Sequence, residues 1–204
     1  MTHYDKKYYS WQKSIGEIGG ILNKFKFVEE IDKNEVLMDF GCGGGFLLDQ
    51  FSNNKKIGFE INKNAWEDIE NKNIQPIDDF DDLQENSIGI IISNHALEHV
   101  HDPLSIVKEL YKKLKFGGKI ILVVPCEQPN EQGFYYKKHD INQHLFTWCP
   151  MTLGNLFTLA GFEVKSCIPF QHQWCSDYME NYNAPDFHNR CIENAKKNSN
   201  IQIK

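Results

Sequence analysis

An acidic residue and a cluster of glycines follow an apolar run in the sequence VLMDFGCGGGF, residues 36–46. Glycine loses more chain entropy on folding than any other residue, so four glycines at one place need a reason. Either the backbone turns through conformations closed to other residues, or a ligand approaches it too closely for a Cβ atom. Asp39 stands two residues before Gly41, and Glu60 ends the next apolar run, where an acid can bind both hydroxyls of a ribose. The pattern predicts a site for a nucleoside-containing cofactor.

Two other nucleotide-binding patterns are absent. The dinucleotide fingerprint G-x-G-x-x-G requires a third glycine, but counting from Gly41 gives Phe46 and counting from Gly43 gives Leu48. A phosphate-binding Walker loop would need Gly-Lys-Ser/Thr after the glycines, and this sequence lacks it. The chain therefore lacks the principal sequence feature of a nicotinamide-dependent oxidoreductase.

The glycine cluster must be positioned by the elements around it, which alternate between short apolar runs and helical patterns. Such alternation predicts an α/β fold with a doubly wound, mostly parallel sheet and helices on both faces. Strands are predicted at residues 35–40, 55–62, 74–77, 88–94, 119–125 and 162–168. Helices are predicted over residues 11–30, 46–51, 65–69, 103–116 and 150–160.

One domain is predicted over residues 31–191, with an insertion at 126–149 on the acceptor side of the sheet. Residues 1–30 are interpreted as a helical lid or cap. Its aromatic residues either cover the pocket or pack on the sheet; they are Tyr4, Tyr8, Tyr9 and Trp11. Residues 192–204 are polar and are predicted to form a flexible tail.

Four motifs in order resemble the class I, Rossmann-like S-adenosylmethionine-dependent methyltransferases, in the branch that acts on small molecules and sugars. They are DFGCGGG, the acid Glu60, ISNHALEHVHDP and LKFGGKIILVVP, and a late HLFTWCPMTLGNLFTLAGFEV extends the resemblance to residues 36–166. The resemblance implies a seven-stranded-type sheet and S-adenosylmethionine as the cofactor, released as S-adenosylhomocysteine. Relatives usually carry Asp where this chain has Gly89, which puts the local packing of that strand in question.

The resemblance also implies roles for individual residues. Asp39, Gly41 and Gly43 would surround the methionine part of the cofactor. Glu60 would bind the ribose, Asp78 or Asp79 the adenine edge, and Asn94 would lie near the sulfonium. Cys42 is interpreted as a small filler between glycines and not as a nucleophile. The full set assigned to the cofactor is Asp39, Gly41, Cys42, Gly43, Glu60, Ile61, Asp78, Asp79, Asn94 and His95.

His144 is the candidate catalytic residue, as a base or as a group that orients the acceptor, and His99 is its competitor. The alternatives are that His144 caps the following helix and that His99 fixes its own loop. The insertion also carries polar and aromatic groups suited to a sugar ring: Tyr135, Tyr136, His139, Asp140 and Trp148. We expect methyl transfer to a hydroxyl of a sugar, nucleotide sugar or polysaccharide precursor. The alternatives are an N- or carboxyl-methyltransferase and a non-catalytic cofactor-binding protein.

Composition restricts the partners. A net charge of -6 and a single arginine, Arg190, argue against a nucleic-acid surface. No apolar run is long enough for a membrane span, no signal peptide is recognisable, and the six cysteines form no CxxC pair, so a cytoplasmic protein is expected. Zinc-like spacing at His172, Cys175, His188 and Cys191 is interpreted as chance, and no metal is assigned. The oligomeric state, monomer or homodimer, is open.

Overall fold

The sheet contains five strands in the computed structural model, which describes residues 4–126, 141 and 143–169. The strands are β1 (Leu37–Phe40), β2 (Lys56–Phe59), β3 (Gln75–Ile77), β4 (Ile88–Asn94) and β5 (Leu114–Val123). All neighbouring strands are parallel and their order is β3-β2-β1-β4-β5. The chain lays down β2 and β3 on one side of β1 and then crosses to place β4 and β5 on the other side. This is the arrangement of a doubly wound fold. Its ligand usually binds at the switch point, here between β1 and β4.

Four α-helices accompany the sheet in the described residues. They are α1 (Lys6–Asn23), α2 (Trp66–Glu70), α3 (Pro103–Lys113) and α4 (Pro150–Leu159). Asp102 caps α3 as predicted, since its carboxylate accepts a hydrogen bond from the backbone N–H of Ser105 and proline occupies the first turn. Short 3₁₀ turns lie at Lys24–Lys26, Val28–Glu30, Leu48–Gln50, Lys63–Ala65, Phe80–Asp82 and Leu97–His99.

Side chains of the central strands are buried on both faces of the sheet. Leu37 lies beside Ile90 in one apolar cluster, and their neighbours Met38 and Ile91 lie in the cluster on the opposite face, together with Leu110 of α3. Successive residues of a strand point to opposite faces, so an uninterrupted apolar run requires cover on both sides. The structure confirms the predicted α/β class.

Two glycines let α1 lie directly against the segment that follows the glycine turn. A Cβ atom on Gly20 would stand 2.5 Å from the carbonyl carbon and oxygen of Phe46, and one on Gly16 would stand 3.0 Å from the Phe46 ring. The Tyr9 hydroxyl, also on α1, donates a hydrogen bond to Asp68 of α2. Glycine at these two positions therefore permits the close packing of α1 against this segment.

Two predicted elements are wrong. The expected helix at residues 46–51 is only the 3₁₀ turn Leu48–Gln50, after which Phe51 is extended. The expected strand at residues 162–168 is not a strand: Val164 and Ile168 are exposed, whereas the Phe162 ring packs on Phe157 of α4. The sequence predicted a strand, but the segment pairs with no strand among the described residues.

The start of β5 also differs from the prediction, which placed it at Lys119. The strand begins at Leu114, opposite Ile88, and the next pairing joins Lys119 to Ile90, so extra residues bulge outward. Gly117 supplies a positive φ of 75° within this bulge.

A carboxylate from a neighbouring segment occupies the space beside Gly89, where relatives usually carry Asp. An added Cβ there would meet Glu35 Oε2 at 2.1 Å, and the same carboxylate forms an ion pair with Lys115 at 2.6 Å. Glu35 thus supplies an acid at this place in the fold.

Candidate cofactor and acceptor site

A cavity of about 400 Å³ opens at the carboxyl ends of β1 and β4. This is the point at which strand order reverses, and the volume is within the range of small-molecule sites. Strand ends and the glycine turn form its floor, α1 covers it, and a histidine-containing loop borders it. The lining residues are Tyr8, Trp11, Gln12, Ile15, Gly16, Gly19, Gly20, Asn23, Lys26, Asp39, Gly41, Cys42, Gly43, Gly44, Phe46, Leu47, Asn94, His95, His99 and His144.

The glycine turn adopts backbone conformations that other residues rarely take. Gly41 has φ 76° and Gly43 has φ 54°. A Cβ on Gly41 would stand 2.3 Å from the Cβ of Ala96, so this turn also lies tightly against the loop after β4. On Gly43, a Cβ would reach the Gln12 side chain at 3.4 Å, on the side covered by α1. Glycine is therefore required here by backbone conformation, and at Gly41 also by the close contact with Ala96.

Asp39 is a buried acid at the cavity wall. It is 2% exposed, and its Oδ1 atom has no hydrogen-bond partner among the described residues. Burial, with a smaller contribution from the charge of Glu60, raises the pKa of Asp39 to about 8. A buried carboxyl without a partner costs free energy, so it marks a place where a cationic or hydrogen-bonding ligand is expected.

Glu60 contacts the glycine turn directly and lies outside the lining of this cavity. Its Oε2 atom accepts a hydrogen bond from Gly43 N–H at 2.8 Å, and Oε1 accepts one from Asn62 N–H at 2.8 Å. Burial raises its pKa, although these backbone hydrogen bonds favour the charged form. Glu60 therefore fixes the shape of the turn, and its contact with a ribose remains a prediction.

The residues assigned to the adenine side also lie outside this lining. Ile61 is 55% exposed. Asp78 forms an ion pair with Lys63 at 2.9 Å, and Asp79 caps the turn Phe80–Asp82 through Asp81 N–H at 2.9 Å. Their assignment to adenine remains a prediction.

Cys42 is a buried thiol that fills space between strands. Its Sγ atom lies against Gly58, where an added Cβ would approach it to 2.6 Å. Burial raises the pKa of this thiol well above its ordinary value. A nucleophilic cysteine needs a lowered pKa, so the geometry supports the interpretation of Cys42 as a filler.

Lys26 is a cavity residue that sequence reasoning missed. Its Nζ atom donates a hydrogen bond to Asn94 Oδ1 at 3.5 Å, which places a cation beside the residue assigned to the sulfonium region. Burial lowers the pKa of Lys26 to about 8. Lys26 lies on the 3₁₀ turn after α1, so only the path of the chain beyond that helix brings it here.

Three histidines and one glutamate meet at the mouth of the cavity. Glu98 is 0% exposed, and its Oε1 atom lies 3.2 Å from His95 Nδ1 and 3.9 Å from His144 Nε2. The rings of His99 and His144 meet edge to face with centroids 4.9 Å apart. The structure thus brings both candidate catalytic histidines together. Glu98 belongs to the motif ISNHALEHVHDP, but the sequence did not predict a role for it.

The loop before α4 removes one alternative for His144 and corrects one expectation for Trp148. Cys149 is the N-cap of α4, so His144 does not cap that helix. Trp148 is buried at 8% exposure and stacks on Phe146 in an apolar cluster, so it packs in the core and does not line the cavity.

The remaining sequence predictions lie outside the described residues. They concern Tyr135, Tyr136, His139, Asp140, the His172/Cys175/His188/Cys191 pattern and the tail at 192–204. Among the residues that are described, four cysteines are free thiols, and no helix is long and apolar enough to cross a membrane.

Comparison with known proteins identifies the family. A family described as "Methyltransferase domain" matches residues 11–166. The chain belongs to this methyltransferase domain family. It has the fold of the class I S-adenosylmethionine-dependent methyltransferases. The family match confirms the resemblance drawn from the motifs, and with it S-adenosylmethionine as the cofactor.

Individual relatives are distant. The chain is 23% identical over 163 residues to phosphoethanolamine N-methyltransferase 3 of Arabidopsis thaliana, covering 71% of this chain and 32% of that protein. It is 24% identical over 136 residues to a ubiquinone biosynthesis O-methyltransferase of Hydrogenovibrio crunogenus, covering 58% of this chain and 56% of that protein. The chain therefore spans between about a third and just over half of the length of these curated relatives.

Solved structures share the fold. One chain of a Haloferax volcanii complex between a methyltransferase activator and a methyltransferase superposes with a TM-score of 0.67 at 16% identity, covering 96% of this chain and 95% of that chain. At this identity the likeness concerns the fold alone.

The cavity of this methyltransferase domain fits S-adenosylmethionine on structural grounds. Gly41 and Gly43 of the turn lie in the cavity lining, and Asp39 presents to a cationic molecule a buried acid whose Oδ1 atom has no hydrogen-bond partner among the described residues. The cofactor carries both an ammonium and a sulfonium group, so its charges complement this acid.

Proposed function

We propose that this protein transfers the methyl group of S-adenosylmethionine to a hydroxyl of a small polar acceptor, with a sugar, nucleotide sugar or polysaccharide precursor as the first candidate class. The observation that carries the proposal is the convergence of His99 and His144 at the mouth of the cavity whose wall contains Asp39. The sugar class derives from the sequence motifs. The relatives compared above are named for O- and N-methyl transfer to other molecules.

Bound S-adenosylmethionine would supply an activated methyl group. The protein therefore has to hold the cofactor, orient the acceptor and exclude water. The glycine turn is held by Glu60 and lies in the lining of the cavity. The side chains of Trp11 and Ile15 on α1 line the cavity. Alignment of donor and acceptor at about 3–3.5 Å accounts for much of the rate in such reactions.

A hydroxyl acceptor has to lose its proton, and this distinguishes it from a carboxylate acceptor. His144 and His99 border the cavity, and the buried carboxylate of Glu98 lies 3.9 Å from His144 Nε2. We assign proton removal or acceptor orientation to His144, with His99 as its competitor. A positioned base contributes about 10²–10⁴-fold to such a step.

The test has two stages. Calorimetric titration with S-adenosylhomocysteine and with NAD should show binding of the first and none of the second. Tritium from methyl-labelled cofactor should then appear in one member of a panel of sugars, nucleotide sugars, phenols and amines. Binding without transfer to any acceptor would favour a non-catalytic cofactor-binding protein, and transfer to amines alone would contradict the hydroxyl assignment. His144→Gln should lower kcat with the true acceptor, whereas His101→Gln, at an exposed neighbouring position, should not.

We further propose a small-molecule acceptor and a cytoplasmic location. The acidic net charge of -6 and the free thiols of the described cysteines support them.

A further inference from the structure

A carboxylate and two imidazoles converge beside the cofactor cavity in an arrangement that can bind a metal ion. One ligand atom from each of Glu98, His99 and His144 lies within 4.8 Å of the others. Donor atoms around an ion with bonds of about 2.0–2.2 Å stand roughly 3–3.5 Å apart, so modest side-chain rotation would complete the site.

Glu98 provides an independent indication of a missing partner. The side chain is fully buried, and its Oε2 atom has no hydrogen-bond partner among the described residues. Buried carboxylates in proteins are paired, hydrogen-bonded or bound to metal, because their desolvation is otherwise uncompensated. His95 Nδ1 at 3.2 Å from Oε1 satisfies only the other oxygen.

The backbone holds the two halves of this cluster together. The carbonyl oxygen of Glu98 accepts hydrogen bonds from Leu145 N–H at 2.9 Å and from Phe146 N–H at 3.3 Å. The loop that carries His144 is therefore attached to the residue that supplies the carboxylate. Pre-positioning of ligands by backbone contacts reduces the entropy lost on metal binding.

We propose that Glu98, His99 and His144 form a binding site for a divalent transition metal of the zinc class. Two imidazoles with one carboxylate suit zinc, cobalt, manganese or ferrous iron better than magnesium, which prefers oxygen ligands. His95 acts as a positioning residue through its contact with Glu98. The sequence alone assigned no metal here, because the three ligands come from two separated segments.

The ion would have an open coordination position on the side of the cavity. His99 and His144 both line that cavity, and three protein ligands with one open position are typical of catalytic zinc sites. A hydroxyl bound there would lose its proton to solvent more readily. Its oxygen would then form the new O–CH₃ bond, while the donor sulfur keeps the electron pair of the broken S–CH₃ bond. This role rests on the proposed methyl transfer, whereas the metal site itself does not. With the ion bound, His144 would orient the acceptor through the metal and would not remove its proton.

The experiment is a titration of metal-free protein with Co²⁺, followed by competition with Zn²⁺ and, separately, with Mg²⁺. Tetrahedral cobalt bound to nitrogen and oxygen should show visible ligand-field absorption with a stoichiometry of one, without the near-ultraviolet charge transfer of thiolate ligands. Zn²⁺ should abolish the signal and Mg²⁺ should not. Glu98→Gln and His144→Gln should each weaken binding by more than the roughly 10–100-fold expected for loss of an outer partner, and His95→Gln should fall within that range.

His101→Gln is the matched control, because it removes an exposed histidine from the same segment. The double variant His172→Gln/Cys175→Ser is a second control. It tests whether cobalt binds at the zinc-like sequence pattern and not at Glu98, His99 and His144. Far-ultraviolet circular dichroism establishes folding of each variant. Absence of cobalt binding, binding that survives both Glu98→Gln and His144→Gln, or a thiolate signature lost with Cys175 would overturn the proposal. Parallel titration with S-adenosylhomocysteine shows separately whether the cofactor proposal stands.

Discussion

The buried carboxyl of Asp39 should make cofactor binding depend on pH. Its pKa is raised to about 8 because it is desolvated and lies near Glu60, so most molecules of the unliganded protein hold it neutral at pH 7. A ligand that brings an ammonium or sulfonium group into the cavity favours the charged carboxylate. Binding should therefore release a proton from Asp39.

The magnitude follows from the fraction of ionised carboxyl. With a pKa of about 8, this fraction rises from about 1% at pH 6 to about 24% at pH 7.5. The α-amino group of S-adenosylhomocysteine stands beside a free carboxylate and stays protonated across this range. The association constant should consequently rise roughly 20-fold between pH 6 and pH 7.5.

The assay is calorimetric titration with S-adenosylhomocysteine across this pH range, in buffers of different ionisation enthalpy to count protons. Asp39→Asn should bind weakly at every pH and should lose most of the pH dependence. His144→Gln, which alters another residue of the cavity lining, is measured in parallel and should retain the slope. An affinity that is flat or falls from pH 6 to 7.5, or a slope that persists in Asp39→Asn, would refute this account of the acid.

Three further predictions concern the stability of the folded protein. Gly20→Ala should lower the free energy of unfolding by about 1–3 kcal/mol, because its Cβ would stand 2.5 Å from the Phe46 backbone. Gly154→Ala should raise the free energy of unfolding by about 0.5–1 kcal/mol, because its Cβ meets nothing within 4 Å. Urea unfolding measures both. Lys26→Met should raise the free energy of unfolding by about 1–2 kcal/mol at pH 7, because the pKa of Lys26 is about 8 in the folded protein and 10.5 ordinarily, so its protonation disfavours folding. In urea unfolding at several pH values, this gain should shrink as pH rises from 8 to 10.5. A gain that stays constant over this range would contradict the prediction. Tyr9→Phe should cost about 1 kcal/mol by removing the hydrogen bond from α1 to α2, and unchanged urea midpoints would show that this bond does not hold the helix.

Several features followed from short stretches of sequence. The strand at 88–94, the proline-initiated helix α3 and the helix at residue 150 appear as expected, because their apolar periodicity and capping residues act within a few neighbours. The positive φ angles of Gly41 and Gly43 likewise match the reason for glycine at those positions. The family could be recognised because these local features recur in a fixed order.

Errors arose where the outcome depended on distant parts of the chain. The segment at 162–168 has strand-like composition, yet a strand requires a neighbouring strand to pair with, and that is decided by the sheet edge. The predicted helix over residues 11–30 is present as α1, but only the structure shows that the Phe46 backbone excludes a Cβ atom at Gly20.

The sequence by itself determined the alternation of strands and helices, the glycine turn and the acid at its start, since each depends on residues close together in the chain. Only the tertiary structure decided that Glu60 holds the turn, that Lys26 reaches Asn94 and that Glu98 meets His144. The physical reason is that side-chain contacts across a parallel sheet are set by how whole elements pack, and the spacing of residues along one strand does not encode them.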